Sequence, residues 1–141
     1  MIIILVLTSR AQGSAEKPTL SVGTVAERQP GLSLQYKHQK DRALHGTFHF
    51  LDSQAIRMSF DLQFLHRAFE PLWFYSGIGM SGQSRHGDDA SETYYLNLPI
   101  GVQWNLPELP LELFSELVPT VGALPNTELA ARLRVGIRAA F

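Results

Sequence analysis

Arg132-Leu133-Arg134-Val135-Gly136-Ile137-Arg138-Ala139-Ala140-Phe141 has a period of two. Every odd position is apolar, and three of the five even positions are arginine. Period two sends successive side chains to opposite faces of a β-strand. One face of this strand is therefore aliphatic and aromatic, the other cationic.

The same period recurs upstream. Leu32, Leu34 and Tyr36 alternate with Ser33, Gln35 and Lys37, and Leu44, Gly46, Phe48 and Phe50 with His45, Thr47 and His49. Ile56, Met58, Phe60, Leu62 and Phe64 alternate with Arg57, Ser59, Asp61 and Gln63. The row from Tyr94 to Trp104 alternates with Tyr95, Asn97, Pro99, Gly101 and Gln103. Leu111, Leu113 and Leu117 alternate with Glu112 and Glu116. Thr19 to Ala26 and the stretch opened by Pro71 supply two more strands. No segment carries a convincing helical period, so the chain reads as all-β with about eight strands. Ser81 to Glu92 and Pro119 to Glu128 read as the longer loops.

Composition narrows the class. A length of 141 residues suits one domain. Charged residues make up 18%, below the globular average of about 25%. The net charge of -1 argues against a nucleic-acid partner. With no cysteine, disulfides, thiolate metal sites and a cysteine-linked lipid anchor are excluded. Met1 to Leu7 is apolar but far short of the roughly 20 residues that span a bilayer as a helix. Ser9-Arg10-Ala11 and Gly13-Ser14-Ala15 follow at signal-peptidase spacing. Residues 1–15 are therefore expected to be an incomplete signal-peptide remnant, and residues 16–141 the domain. A membrane protein made from this chain would have to be a β-barrel.

Alternation fits two architectures. In a soluble, lipocalin-like periplasmic barrel the apolar rows point inward and bind an apolar ligand. In an outer-membrane barrel they point outward to lipid. Four features favour the second. Tyr94 and Trp104 bracket an aliphatic row, and ten steps of about 3.3 Å, tilted about 40°, cover roughly 25 Å of bilayer with an aromatic girdle at each rim. The polar face is ionic and balanced, and Arg57, Asp61, Glu112, Glu116, Arg132, Arg134 and Arg138 suit a charge network in a narrow lumen. Gly77, Gly79, Gly101, Gly136 and Ala140 fall on that face, where a filled eight-stranded interior needs small residues. Lastly, Arg134, Gly136, Ala139 and Phe141 fit the pattern polar-x-Gly-x-x-apolar-x-aromatic. That pattern resembles the C-terminal signal by which insertion machinery recognises outer-membrane barrels, with Ala139 smaller than the usual apolar residue.

A wider resemblance rests on Val22-Gly23-Thr24 leading to Gln29-Pro30-Gly31-Leu32-Ser33-Leu34-Gln35-Tyr36, on Leu72-Trp73-Phe74-Tyr75-Ser76-Gly77-Ile78-Gly79-Met80, and on Leu98-Pro99-Ile100-Gly101-Val102-Gln103-Trp104. Pro110-Leu111-Glu112-Leu113-Phe114-Ser115-Glu116-Leu117-Val118-Pro119 and Val135-Gly136-Ile137-Arg138 extend it over nearly all of residues 19–141. These stretches resemble a family of small outer-membrane β-barrel proteins of spirochaetes and other Gram-negative bacteria, similar in architecture to the OmpA and OmpX barrels and without an established activity. The resemblance implies an eight-stranded antiparallel up-and-down transmembrane β-barrel in the bacterial outer membrane. Both termini would face the periplasm, with loops 81–92 and 119–128 outside the cell. The chain would end in its insertion signal.

Catalytic and metal chemistry find little support. His45 and His49 share a strand face about 13 Å apart, too far for one metal, and read as polar lumen residues. No His-x-Ser pair of the lipid A deacylase type exists. His86, Asp88, Asp89 and Ser91 cluster in the long polar stretch but have the composition of a solvated loop tip. Gly77-Ile78-Gly79 lacks the later glycine and following helix of a phosphate-binding turn. The expectation is a monomer with no enzymatic activity, no cofactor and no metal. Its partners are outer-membrane lipid and, during biogenesis, the barrel-assembly machinery. The role expected is structural or at the surface, with a plugged polar lumen. The alternatives are the soluble lipocalin-like barrel and an adhesin acting through the 81–92 loop.

Overall fold

A computed structural model of the protein describes residues 18–69, 71–87, 91–124 and 127–141. Residues 1–15, read as a signal remnant, lie outside the described residues, as do Asp88 and Asp89. Among the described residues nine strand segments follow one another: β1 (Thr19–Ala26), β2 (Pro30–Gln39), β3 (Arg42–Asp52), β4 (Ala55–Phe69), β5 (Leu72–Arg85), β6 (Ser91–Asn97), β7 (Ile100–Asn105), β8 (Leu111–Leu124) and β9 (Leu129–Ala140). All pairings are antiparallel.

β6 and β7 have the same two neighbours, β5 and β8. They are halves of one stave, interrupted at Leu98-Pro99, where the sequence led us to expect an unbroken strand. Proline has no N–H for the ladder. The gap is bridged: the Gly77 amide donates to the Pro99 carbonyl at 2.8 Å, and the Leu98 amide to the Pro119 carbonyl at 3.0 Å. Alternation survives the break, with Leu96, Leu98 and Ile100 exposed and Asn97, Pro99 and Gly101 buried. Eight staves result.

β1 closes the ring against β9 from Ser21–Ala140 to Ala26–Val135. The Phe141 amide adds a bond to the Leu20 carbonyl at 2.7 Å. The stagger follows from the register. Starting at Val22, partners run through Leu34, Gly46, Phe60, Met80, Leu96 and Val121 to Leu129. Val22 itself pairs with Ala139, ten residues from Leu129. Eight strands with that stagger tilt by roughly 40° at normal strand spacings. Thr19 and Phe141 lie at one end with the β2–β3, β4–β5 and β7–β8 connections. The β1–β2 and β3–β4 connections lie at the opposite end, as do the ends Arg85 of β5, Ser91 of β6, Leu124 of β8 and Leu129 of β9.

The longer loops are shorter than expected. Ser81 to Arg85 extends β5, Ser91 and Glu92 begin β6, and β8 continues to Leu124. Ser81 to Arg85, rich in serine, glycine and glutamine, carries no apolar alternation, yet it pairs with both β4 and β6.

The apolar rows point outward. Phe60 is 56% exposed, Met80 67%, Ile100 59% and Leu133 62%, whereas Asp61 and Arg134 are fully buried. A lipocalin-like binder needs the opposite arrangement. Room inside is shared between large and absent side chains. Tyr75 and Phe114 are buried on the inward face. A Cβ at Gly101 would come within 2.6 Å of the Tyr75 ring, and one at Gly136 would collide with the Phe114 ring. Gly101→Val should therefore lower unfolding stability by about 1–3 kcal/mol through overpacking, read by denaturant titration of the refolded protein. An unchanged midpoint would contradict this packing.

Candidate functional site

The candidate site is the barrel interior. β8 and β9 form one hairpin whose register sets Glu116 opposite Arg134 and Glu112 opposite Arg138. Alternation points all four inward, where they are buried.

Arg134 is the hub. Its Nη1 lies 3.1 Å from a Glu116 oxygen and 3.6 Å from Asp61 of β4, and its Nε donates to Glu27 at 3.3 Å. Glu116 accepts a second bond from the Tyr75 hydroxyl at 2.8 Å. Asp61 accepts from the Asn97 amide at 3.0 Å, and Asn97 in turn accepts from the Ser81 hydroxyl at 3.0 Å. Towards the turn end, Glu112 is shared between Lys37 at 2.9 Å and Arg138 at 3.4 Å. Arg138 also donates to Gln103 at 3.1 Å and stacks 4.2 Å over the Phe114 ring. Below these, Ala43, Leu65, Tyr75 and Trp73 form a small apolar cluster. Towards the other end, Arg57 donates to Glu27 at 2.6 Å and to Gln83 at 2.9 Å. Arg132 lies 4.8 Å over the Tyr95 ring.

One flank of the interior is neutral. Gln35 donates to Gln63 at 2.7 Å, and the Gln63 amide lies 3.1 Å from His45 Nδ1. His45 Nε2 is 2.9 Å from the Ser33 hydroxyl. A buried charge is tolerable only when paired and hydrogen-bonded, and the partners here are carboxylates and amides of β4, β5, β6, β7 and β8 together with Glu27 of the β1–β2 connection. Among the described residues, no group of three or more His, Asp and Glu side chains is arranged to hold a metal ion.

No protein-family model matches the sequence, and no curated protein is significantly similar to it. Solved structures do match. The N-terminal β-barrel domain of Pseudomonas aeruginosa OprF aligns with a TM-score of 0.65 and 16% identity, over 88% of this chain and 96% of that one. Neisserial surface protein A aligns with a TM-score of 0.59 and 14% identity, over 88% of this chain and 94% of that one. The chain has the fold of the small eight-stranded outer-membrane β-barrels.

Within this barrel, the seven ionic residues named from the sequence divide into groups. Arg134, Glu116 and Asp61 meet in one cluster, and Arg138 and Glu112 in a second. Arg57 and Asp61 share the inward row of β4 and take different partners: Arg57 engages Glu27, and Asp61 engages Arg134. Arg132 lies opposite Val118 rather than a glutamate. His45 and His49 are both buried inside. Tyr94 and Trp104 are exposed near opposite ends of their stave. On β9, Arg134 and Gly136 point inward, while Ala139 and Phe141 belong to the outward row with Val135 and Ile137.

Glu27, Tyr75, Phe114 and Gln103 are the members that sequence reasoning missed. Glu27 lies in a connection, where no alternation marks it. Tyr75 and Phe114 could have been found by strict parity, since each shares its row with residues already assigned inward. Arg134→Met leaves three carboxylates without their common partner. It should cost about 3–5 kcal/mol, measured as a loss of urea stability in lipid vesicles; a loss below 1 kcal/mol would remove Arg134 from its central role.

Proposed function

We propose that this protein is a monomeric outer-membrane β-barrel with a structural or surface role, its lumen plugged by the network around Arg134. On this reading it is exported by a signal peptide, inserted by the barrel-assembly machinery, and solvated laterally by outer-membrane lipid. It carries out no catalytic step and needs no cofactor or metal. The observation that carries the proposal is the combination of an apolar exterior with an ion-paired interior. Exposed rows such as Phe60, Met80 and Ile100 would be unfavourable in water at about 25 cal/mol per Å2. In hydrocarbon they are at no disadvantage, and the closed ladder leaves few backbone groups unpaired.

A plug follows from the same arrangement. Eight strands enclose little more than the space their own side chains fill. Here that space holds Arg134, Arg138, Tyr75, Phe114 and the amide flank, with apolar Leu65 and Trp73 towards the turn end. Tyr94 and Trp104 would anchor the two interfaces. Arg134, Gly136, Ala139 and Phe141 would form the insertion signal on β9.

Cell fractionation followed by electrophoresis with and without boiling tests the proposal. Recovery in the outer membrane with a heat-dependent mobility shift is expected; a soluble periplasmic protein without a shift would overturn it. Phe141→Ala should reduce the inserted fraction, and insertion at the parent level would count against the signal. Ile100→Arg, on the exposed row at mid-stave, should destabilise the barrel in vesicles by about 2–4 kcal/mol, whereas a neutral result would mean that Ile100 does not meet lipid.

A further inference from the structure

The closing seam is shorter than the staves it joins. β1 stops at Ala26, opposite Val135, while β9 continues to Leu129 along β8. The wall is therefore low at the β1–β2 connection, and residues 129–134 face a notch on their β1 side. A cavity of about 490 Å3 occupies this notch, bounded by Glu27, Arg28, Arg57, Tyr95, Glu128 and Arg132. Ala131 and Leu133, on the outward row, also line it, so it opens to the outer flank as well as to the lumen.

Three guanidinium groups, of Arg28, Arg57 and Arg132, line the cavity with two carboxylates, of Glu27 and Glu128. Glu27 is already engaged on both oxygens, by Arg57 at 2.6 Å and Arg134 at 3.3 Å. Arg132 has no ion pair among the described residues. It stacks on Tyr95, and its buried Nη1 has no hydrogen-bond acceptor. The Nε of Arg57 is likewise buried without one. Arg28 is exposed at the entrance. Two guanidinium groups that line one cavity, each with a buried donor lacking an acceptor, and a third at its edge call for a ligand with several anionic oxygens. Arg134 and Arg138 also carry unmatched donors, but these lie deeper, beside Glu116 and Glu112.

We propose that the notch between β1 and β9 binds a phosphate group, held by Arg132 with Arg57 and Arg28. A carboxylate offers two oxygens, and Glu27 already supplies that chemistry. A phosphate offers more, spread so that guanidinium groups from different staves reach it together. The outward opening admits a phosphate carried by a lipid headgroup, and the lumen side admits a free one. Only the lipid source rests on the outer-membrane reading.

The test uses the full chain in maltoside micelles, which contain no phosphate, with arginine Nε–Hε resonances as the readout. Inorganic phosphate is titrated against chloride at constant ionic strength, and phosphatidic acid against dioctanoylglycerol in the same micelles. Saturable shifts at Arg132 and Arg57 are expected. Arg132→Gln should weaken them about ten-fold or more, the loss of a charge-assisted bond, and the exposed Arg28→Gln should weaken them measurably. Tighter saturation by phosphatidic acid identifies a lipid source; saturation by inorganic phosphate alone identifies a free anion. Shifts that never saturate, or parent affinity in either variant, would overturn the proposal. A heat-dependent gel shift in each sample checks the barrel separately, and if Arg132→Gln loses it, Arg28→Gln decides.

Discussion

Closure of the ladder between β1 and β9 is the constraint on which the rest depends. An open eight-stranded sheet would leave two rows of backbone N–H and C=O groups without partners. Six residue pairs and the Phe141–Leu20 bond join its edges. Closure at a stagger of ten residues fixes tilt and diameter together, and diameter decides how much side chain the interior can hold. The Leu98-Pro99 interruption is tolerated because carbonyl and amide partners on both flanking staves bridge it.

The interior then has two problems to solve at once, volume and charge. Volume is met by opposing large residues with glycine: Tyr75 uses the space at Gly101, and Phe114 the space at Gly136. Charge is met by drawing an arginine's partners from different parts of the barrel, as Arg134 does with Glu27 of the β1–β2 connection, Asp61 of β4 and Glu116 of β8. Pairing of this kind ties distant strands together across the lumen. The arrangement is least complete at the low seam, where Arg132 has a ring beneath it and no ion pair among the described residues.

Much of this was legible because strand parity is strict. Parity assigns Glu116 and Arg134 to one side from the sequence, and adjacency of the last two strands makes them neighbours. Parity says nothing of contacts across the lumen, so the Arg134–Asp61 pair and the Arg57–Glu27 bond are hidden in the sequence. The end of β5 reads as a loop in the sequence because Ser81 to Arg85 lacks apolar alternation; its pairing comes from the neighbouring staves. The broken stave was read as continuous because its side chains alternate straight through Pro99.

The central claim is that the apolar rows face lipid and the polar rows face the lumen. The absence of native cysteine allows a direct measurement: single cysteines from position 96 to position 103, spin-labelled in lipid vesicles, with collision rates for oxygen and for a water-soluble nickel complex. The account predicts high oxygen accessibility at 96, 98, 100 and 102 and low accessibility to both reagents at 97, 101 and 103. Oxygen accessibility without that alternation, or with its phase reversed, would contradict it.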